Sequence, residues 1–117
     1  TDPETLPAWL TQADLEVYTQ AFEKTGFRGA LNWYRTQDLW WEATPFLTRR
    51  PLEQPLLFIA GEEDPVVQIS QVAVENLPNN APNLWRTVLL PGVGHWTEQE
   101  APELVKPHLL EFLATHT

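Results

Sequence analysis

The sequence has 117 residues, of which 43% are hydrophobic, so it is long enough for one domain with a core and too short for two. Sixteen acidic and seven basic residues give a net charge of -9, which argues against binding a nucleic-acid backbone or an anionic membrane surface. The absence of Cys excludes disulfides, thiolate zinc sites and cysteine catalysis.

The first helical pattern begins near residue 11. Thr11 is followed three residues later by Asp14, the spacing of a capping box, and apolar residues then recur at helical intervals. Gly26 stands where a helix would end, since glycine accepts the backbone conformation that follows a last turn. We therefore expect a helix over 12–24.

A second helical pattern follows after a short turn. Tyr34 and Trp41 lie on one face of a predicted helix over 29–41. Two helices joined by a short glycine-containing turn form a helical hairpin. We assign residues 1–44 to this helical segment.

The pattern changes after a proline-rich stretch, 45–54, which we interpret as a linker. "PLLFIAG" then predicts a strand covered on both faces, and "LWRTVLLPG" predicts a second strand. Between them lies a loop with a helix near 68–77, and a closing helix covers 101–116. Pro107 removes a backbone donor inside that last helix, so we expect a kink or a restart there.

The order strand, helix, strand, helix predicts a parallel α/β sheet over residues 55–117. Two parallel strands alone are too few for a stable sheet, so we expect an incomplete sheet, the last part of a larger doubly wound domain preceded by a helical insertion. The sequence also contains no Met and opens on "TDPETLP", which favours a piece of a longer protein.

Two polar residues follow the predicted strands. Asp64 comes after the first strand, and His95 stands in the glycine-rich stretch "PGVGHW" after the second. Functional groups gather at the carboxyl ends of parallel strands, so an Asp–His hydrogen bond is geometrically plausible. An acidic residue before a proline is also common in solvated turns, and a histidine in such a loop can be an ordinary surface residue.

Three stretches resemble soluble epoxide hydrolases of the α/β-hydrolase superfamily: "TGFRGALNWYR" (25–35), "LFIAGEEDPV" (57–66) and "GVGHWTEQEAPELV" (92–105). The stretches correspond to the C-terminal half of proteins of that family, including part of the cap. The resemblance extends over nearly the whole of this chain, with the stretches in the correct order. The most specific stretch is "GFRGALNWYR", because it separates epoxide hydrolases from the relatives that share only the sheet, whereas "GHW" followed by an acidic segment and a helix is widespread in the superfamily.

The resemblance implies three catalytic roles. Tyr34 would match the cap tyrosine that protonates the epoxide oxygen, Asp64 the acid of the triad, and His95 the base that activates water. In that mechanism an aspartate attacks an epoxide carbon, and the resulting ester is hydrolysed to a diol. The resemblance implies no cofactor and no metal.

The tryptophans fit a small apolar epoxide as substrate. Trp33, Trp41 and Trp96 are candidates for substrate binding, with the alternative that such residues only fill a core. Haloalkane and fluoroacetate dehalogenases share the sheet and use Trp N–H groups to hold a halide. Trp33 and Trp41 therefore keep that alternative open.

The family's nucleophile lies upstream of the cap, and no Asp of this chain stands in a suitable strand–turn–helix context. The Asp residues of the sequence are Asp2, Asp14, Asp38 and Asp64. We therefore expect the chain to be inactive in isolation. It would work only together with a missing N-terminal half. The alternatives are an inactive remnant that self-associates as a homo-oligomer, and an interaction module. Neither a long apolar run nor a signal-peptide pattern is present, which predicts a cytoplasmic protein without nucleic-acid or membrane partners.

Overall fold

The structure is a computed structural model that describes residues 4–48 and 50–116. The chain forms two compact units, Thr1–Thr48 and Arg49–Thr117. The boundary between them falls inside the stretch 45–54 that was interpreted as a linker, and the segment limits given above stay predictions. None of the helices in the described ranges is long and apolar enough to cross a membrane.

The first unit is helical. Its elements are α1 (Gln12–Thr25), α2 (Arg28–Arg35), α3 (Gln37–Ala43) and a short 3-10 helix (Pro45–Leu47). The capping box is present, because the Thr11 side chain accepts from the Asp14 N–H and the Asp14 side chain accepts from the Thr11 N–H. Gly26 ends α1 with a φ of 66°, a left-handed value that glycine adopts at little cost. The first predicted helix is thus confirmed.

The second predicted helix is interrupted at Thr36. The Thr36 hydroxyl donates to the carbonyl of Asn32 at 2.9 Å and to that of Trp33 at 3.3 Å. Such back-bonding by a threonine side chain competes with the regular helix ladder. The prediction of one continuous helix over 29–41 was therefore wrong, and α2 and α3 take its place.

The second unit holds the sheet. Its elements are β1 (Leu56–Gly61), α4 (Pro65–Ile69), α5 (Gln71–Glu75), α6 (Leu77–Asn80), β2 (Leu84–Leu90), α7 (Thr97–Glu100) and α8 (Pro102–His116). The two strands pair in parallel, with Leu57 opposite Arg86 and Gly61 opposite Leu90. This open, two-stranded parallel sheet confirms the predicted fold class and puts the carboxyl ends of both strands at one edge.

The helical predictions in this unit need two corrections. The helix expected near 68–77 is three short helices, α4, α5 and α6. Between α5 and α6 the Asn76 side chain donates to the Val72 carbonyl at 2.8 Å, and a proline follows in the first turn of α6. In contrast, α8 runs through Pro107 without a restart. Proline has a helical φ and forfeits only one backbone hydrogen bond here, so the neighbouring turns continue the helix.

A small core lies directly beneath the loop that follows β2. Its buried members are Leu90 at the end of β2, Val93 in the loop and Val105 on α8. Ile59, Val88 and Ala101 pack against them. Burying Val93 anchors the loop between β2 and α7 to the sheet and to α8, which positions the residues that follow it.

Candidate active site

Asp64 stands three residues after the end of β1 and is the N-cap of α4. Its Oδ1 accepts from the Val66 N–H at 2.8 Å, and Pro65 takes the first helical position, where no N–H is needed. The residue is only 6% exposed. Its carboxylate is therefore held by protein groups. This differs from the alternative interpretation of the sequence, in which Asp64 lies in a solvated turn.

His95 meets Asp64 across the edge of the sheet. Its Nδ1 lies 2.8 Å from the Asp64 Oδ2, while its side chain is 53% exposed. An ionised carboxylate only accepts hydrogen bonds, so Nδ1 carries the proton and Nε2 of the neutral ring is left with a lone pair. This arrangement presents a base whose tautomer and orientation are set by the acid behind it.

The pKa of Asp64 lies below its ordinary value. Burial raises the pKa, but the hydrogen bonds from His95 and from the Val66 N–H, together with the charge of a protonated His95, lower it by more. Asp64 is consequently ionised at neutral pH and can stabilise an imidazolium.

Backbone contacts lock the two loops together. The Glu62 N–H donates to the Leu90 carbonyl at 3.0 Å, and the Glu63 N–H donates to the Val93 carbonyl at 3.0 Å. At Gly61 the loops are so close that an added Cβ would lie 2.1 Å from the Val93 oxygen. The contact between Asp64 and His95 therefore rests on a rigid pair of loops.

Glu100, on α7, is a site residue that the sequence reasoning missed. Its Oε2 accepts from the Gly94 N–H at 2.7 Å, and its Oε1 accepts from the Trp96 N–H at 3.0 Å. The carboxylate thus holds the backbone on both sides of His95. The available signal was an acidic residue in the first turn of a short helix after the loop, a position that often binds free N–H groups.

The predicted aromatic residues fall into both units. Trp96 packs edge-on against the His95 ring, with ring centroids 5.2 Å apart, and is 54% exposed. Trp33 and Trp41 belong to the first unit, where with Gln37, Trp40 and Thr44 they line an open groove of about 320 Å³. Trp41 is 76% exposed, so it fills no core in its unit.

Tyr34 also lies in the first unit, on α2, and is 68% exposed. The structure therefore brings Asp64, His95 and Trp96 together in the second unit, whereas Tyr34, Trp33 and Trp41 stand in the first. Across residues 4–48 and 50–116, no group of three or more His, Asp or Glu side chains is arranged to hold a metal ion.

In sequence and in structure, the chain is similar to a group of enzymes. The chain is 44% identical over 112 residues to Epoxide hydrolase A of Mycobacterium tuberculosis (strain H37Rv), a match that covers 96% of this chain and 34% of that protein. It is 36% identical to Epoxide hydrolase 3 of Siraitia grosvenorii, covering 95% of this chain and 36% of that protein. The crystal structure of Epoxide Hydrolase A from Mycobacterium thermoresistibile superposes with a TM-score of 0.90 at 43% identity.

This chain is similar in sequence and in structure to one part of these epoxide hydrolases. Its two parallel strands and their helices correspond to part of an α/β-hydrolase fold. The match to the Mycobacterium thermoresistibile structure covers 97% of this chain and 35% of that one, so the chain spans about a third of the length of these relatives. No protein-family model matches the sequence.

Proposed function

We propose that this chain supplies the histidine–aspartate pair and part of the cap of an epoxide hydrolase, which opens epoxides to diols through an ester on an aspartate outside this chain. The observation that carries the proposal is the 2.8 Å contact between His95 Nδ1 and Asp64 Oδ2, with the imidazole half exposed. The relatives named above support the epoxide as the substrate class.

The first step is ring opening. The external carboxylate attacks an epoxide carbon, the carbon–oxygen bond of the strained ring breaks, and an ester forms. The departing oxygen takes a proton from the Tyr34 hydroxyl, because a phenolic hydroxyl has an O–H to donate. An alkoxide is a poor leaving group. Because the Tyr34 proton neutralises the departing oxygen, a weak nucleophile such as a carboxylate is sufficient to open the ring.

The second step is ester hydrolysis. His95 Nε2 removes a proton from a water molecule, the hydroxide attacks the ester carbonyl, and the diol leaves as the carboxylate is restored. Asp64 stabilises the imidazolium formed on the way and keeps the ring aligned. The proton then passes from His95 through solvent to the Tyr34 phenolate, which returns every group to its starting state.

The aromatic residues give the substrate an apolar surface. Trp96 stands beside the His95 ring, and Trp33 and Trp41 line the groove of the first unit. We assign these three to substrate binding and expect apolar or aromatic substituents on the epoxide. Their indole N–H groups also suit a departing halide, the feature that favours a dehalogenase as the second candidate.

The nucleophile has to come from a further polypeptide segment, so we expect the isolated chain to be inactive. Native mass spectrometry tests this first: a 13.4 kDa chain bound to a larger polypeptide supports an assembled enzyme. Multiples of 13.4 kDa alone would instead favour the self-associating remnant, and a specific heterologous ligand without turnover would favour the interaction module.

The mechanism predicts a distinctive phenotype for His95→Gln in the assembled enzyme. Steady-state diol formation should fall by about 10³-fold or more, while the covalent ester still forms and accumulates. The adduct is detected as a mass increase equal to one epoxide per active site.

The matched control is His108→Gln, which changes a histidine on α8 whose Nδ1 lies 3.4 Å from Arg86 Nη1 and which the two steps above do not use. It should leave turnover unchanged. Normal turnover in the His95 variant contradicts the proposal. Halide release from a haloalkane, with no reaction on epoxides, moves the assignment to the dehalogenases.

A further inference from the structure

We infer that Glu100 is a positioning residue, which fixes the loop carrying His95 so that the imidazole points at Asp64 during ester hydrolysis. The expected effect on ester hydrolysis rests on the proposed function. The expected effect on the orientation of His95 rests on the geometry of the loop alone. It assigns a role to a carboxylate that the two catalytic steps above do not use.

The Glu100 carboxylate accepts hydrogen bonds from the residues immediately before and after His95. One oxygen accepts the N–H of the residue before His95 at 2.7 Å, and the other accepts the N–H of the residue after it at 3.0 Å. Hydrogen bonds from backbone N–H groups to a carboxylate are charge-assisted and stronger than neutral ones. The peptide units on both sides of His95 are therefore fixed to one rigid group.

Glu100 itself is held in place by its own helix. Its N–H donates to the Trp96 carbonyl at 2.8 Å, and Thr97 at the start of α7 is buried. The backbone of Trp96 thus both donates to and accepts from the same residue. Since Val93 is anchored in the core, the loop is fixed at its start by packing and at its end by Glu100.

The sequence accommodates this carboxylate with a glycine. A Cβ added at Gly94 would lie 2.9 Å and 3.1 Å from the two Glu100 oxygens. A side chain at this position would require the Glu100 carboxylate to shift, whereas glycine leaves it room to reach the Gly94 N–H. Gly94 and Glu100 therefore act as one unit around His95.

The test uses Glu100→Gln in the assembled enzyme. A glutamine has the same shape, but its NH₂ group would face a backbone N–H donor, so one of the two bonds is lost and replaced by a repulsive contact. We expect ester hydrolysis to slow by about tenfold or more while ester formation is little changed, because only the second step uses His95. The ester should accumulate in rapid-quench experiments.

Gly94→Ala provides an independent variant with Glu100 intact. Its Cβ displaces the carboxylate, so it should show the same accumulation of ester. Glu98→Gln is the matched control, since Glu98 is an exposed carboxylate on the same short helix and loses the same charge. It should behave as the wild type.

A spectroscopic measurement separates this inference from the proposed function. The His95 Nδ1 proton, hydrogen-bonded to Asp64, should give a downfield ¹H resonance that broadens or shifts in Glu100→Gln and Gly94→Ala but not in Glu98→Gln. That result supports the positioning role even if no epoxide is hydrolysed. An unchanged resonance and unchanged hydrolysis in Glu100→Gln overturn it, and so does an equal loss of both chemical steps together with a lowered melting temperature, which indicates a merely structural role.

Discussion

The two units of the chain are stabilised in different ways. All of the buried residues among those described belong to Arg49–Thr117, including Leu90, Val93 and Asp64. In the first unit the described residues are all exposed or half-exposed, and the side-chain hydrogen bonds found there join residues at most four apart. In the second unit the Asp64–His95 bond spans 31 residues. The described hydrogen bonds of the helical segment are thus local, whereas an Asp–His pair formed from two loops requires a packed sheet.

Two glycine substitutions should separate the units most strongly. Gly61→Ala places a Cβ 2.1 Å and 2.2 Å from two backbone oxygens that cannot move aside, and we expect a loss of about 4 kcal/mol or more in the unfolding free energy of the sheet unit. Gly29→Ala, in α2, meets nothing within 4 Å and should stabilise its helix by about 0.5–1 kcal/mol.

Amide hydrogen exchange measures both changes: protection of β1 and β2 is followed in Gly61→Ala, and protection of α2 in Gly29→Ala. Retention of the wild-type protection of β1 in Gly61→Ala would show that the loops at this edge are looser than their contacts indicate. The Asp64–His95 bond would then need another support.

Leucine truncation should give a smaller difference of the same kind. Leu90→Ala removes a side chain that is 4% exposed and opens a cavity in the small core, so we expect a loss of about 2–4 kcal/mol. The control is Leu39→Ala on α3, where the side chain is 62% exposed and the change should stay within about 0.5 kcal/mol. Urea unfolding of each variant measures both, and similar losses at the two positions would contradict the distinction between the units.

Acid should loosen both units, through one aspartate in each. The pKa of Asp14 is lowered by hydrogen bonds from the Thr11 side chain and backbone, and the pKa of Asp64 is lowered because the hydrogen bonds from His95 and Val66 outweigh its burial. A carboxyl group with a lowered pKa in the folded state stabilises the fold fully above its ordinary value of 3.8 and loses that contribution as the pH falls through the folded value.

NMR spectra recorded from about pH 5 to about pH 2, a range that includes the ordinary value of 3.8 and extends below it, should therefore show two responses. Protonation of Asp14 should affect only the first turn of α1, whereas protonation of Asp64 should disturb the loops after both strands. Asp64→Asn should remove the acid response of those loops and leave that of α1. A response of the loops that persists in this variant would assign it to another group.

Much of the local structure could be predicted because its signals lie within a few residues of one another. Thr11, Asp14 and Gly26 define α1 by capping rules, and the two apolar runs define the strands. The errors arose where a polar side chain competes with the helix ladder, as at Thr36 and Asn76. Propensity alone does not show whether such a side chain turns toward the backbone or toward solvent.

The sequence by itself determined which residues stand at the strand ends, and so it was sufficient to select Asp64 and His95 as candidates. Only the tertiary structure decided that they meet, that Gly61 permits the loops to touch, and that Glu100 holds both sides of His95. The reason is physical: a strand or a cap depends on neighbours along the chain, whereas a contact across 31 residues depends on the register of the strands and on the packing of Val93 beneath the loop.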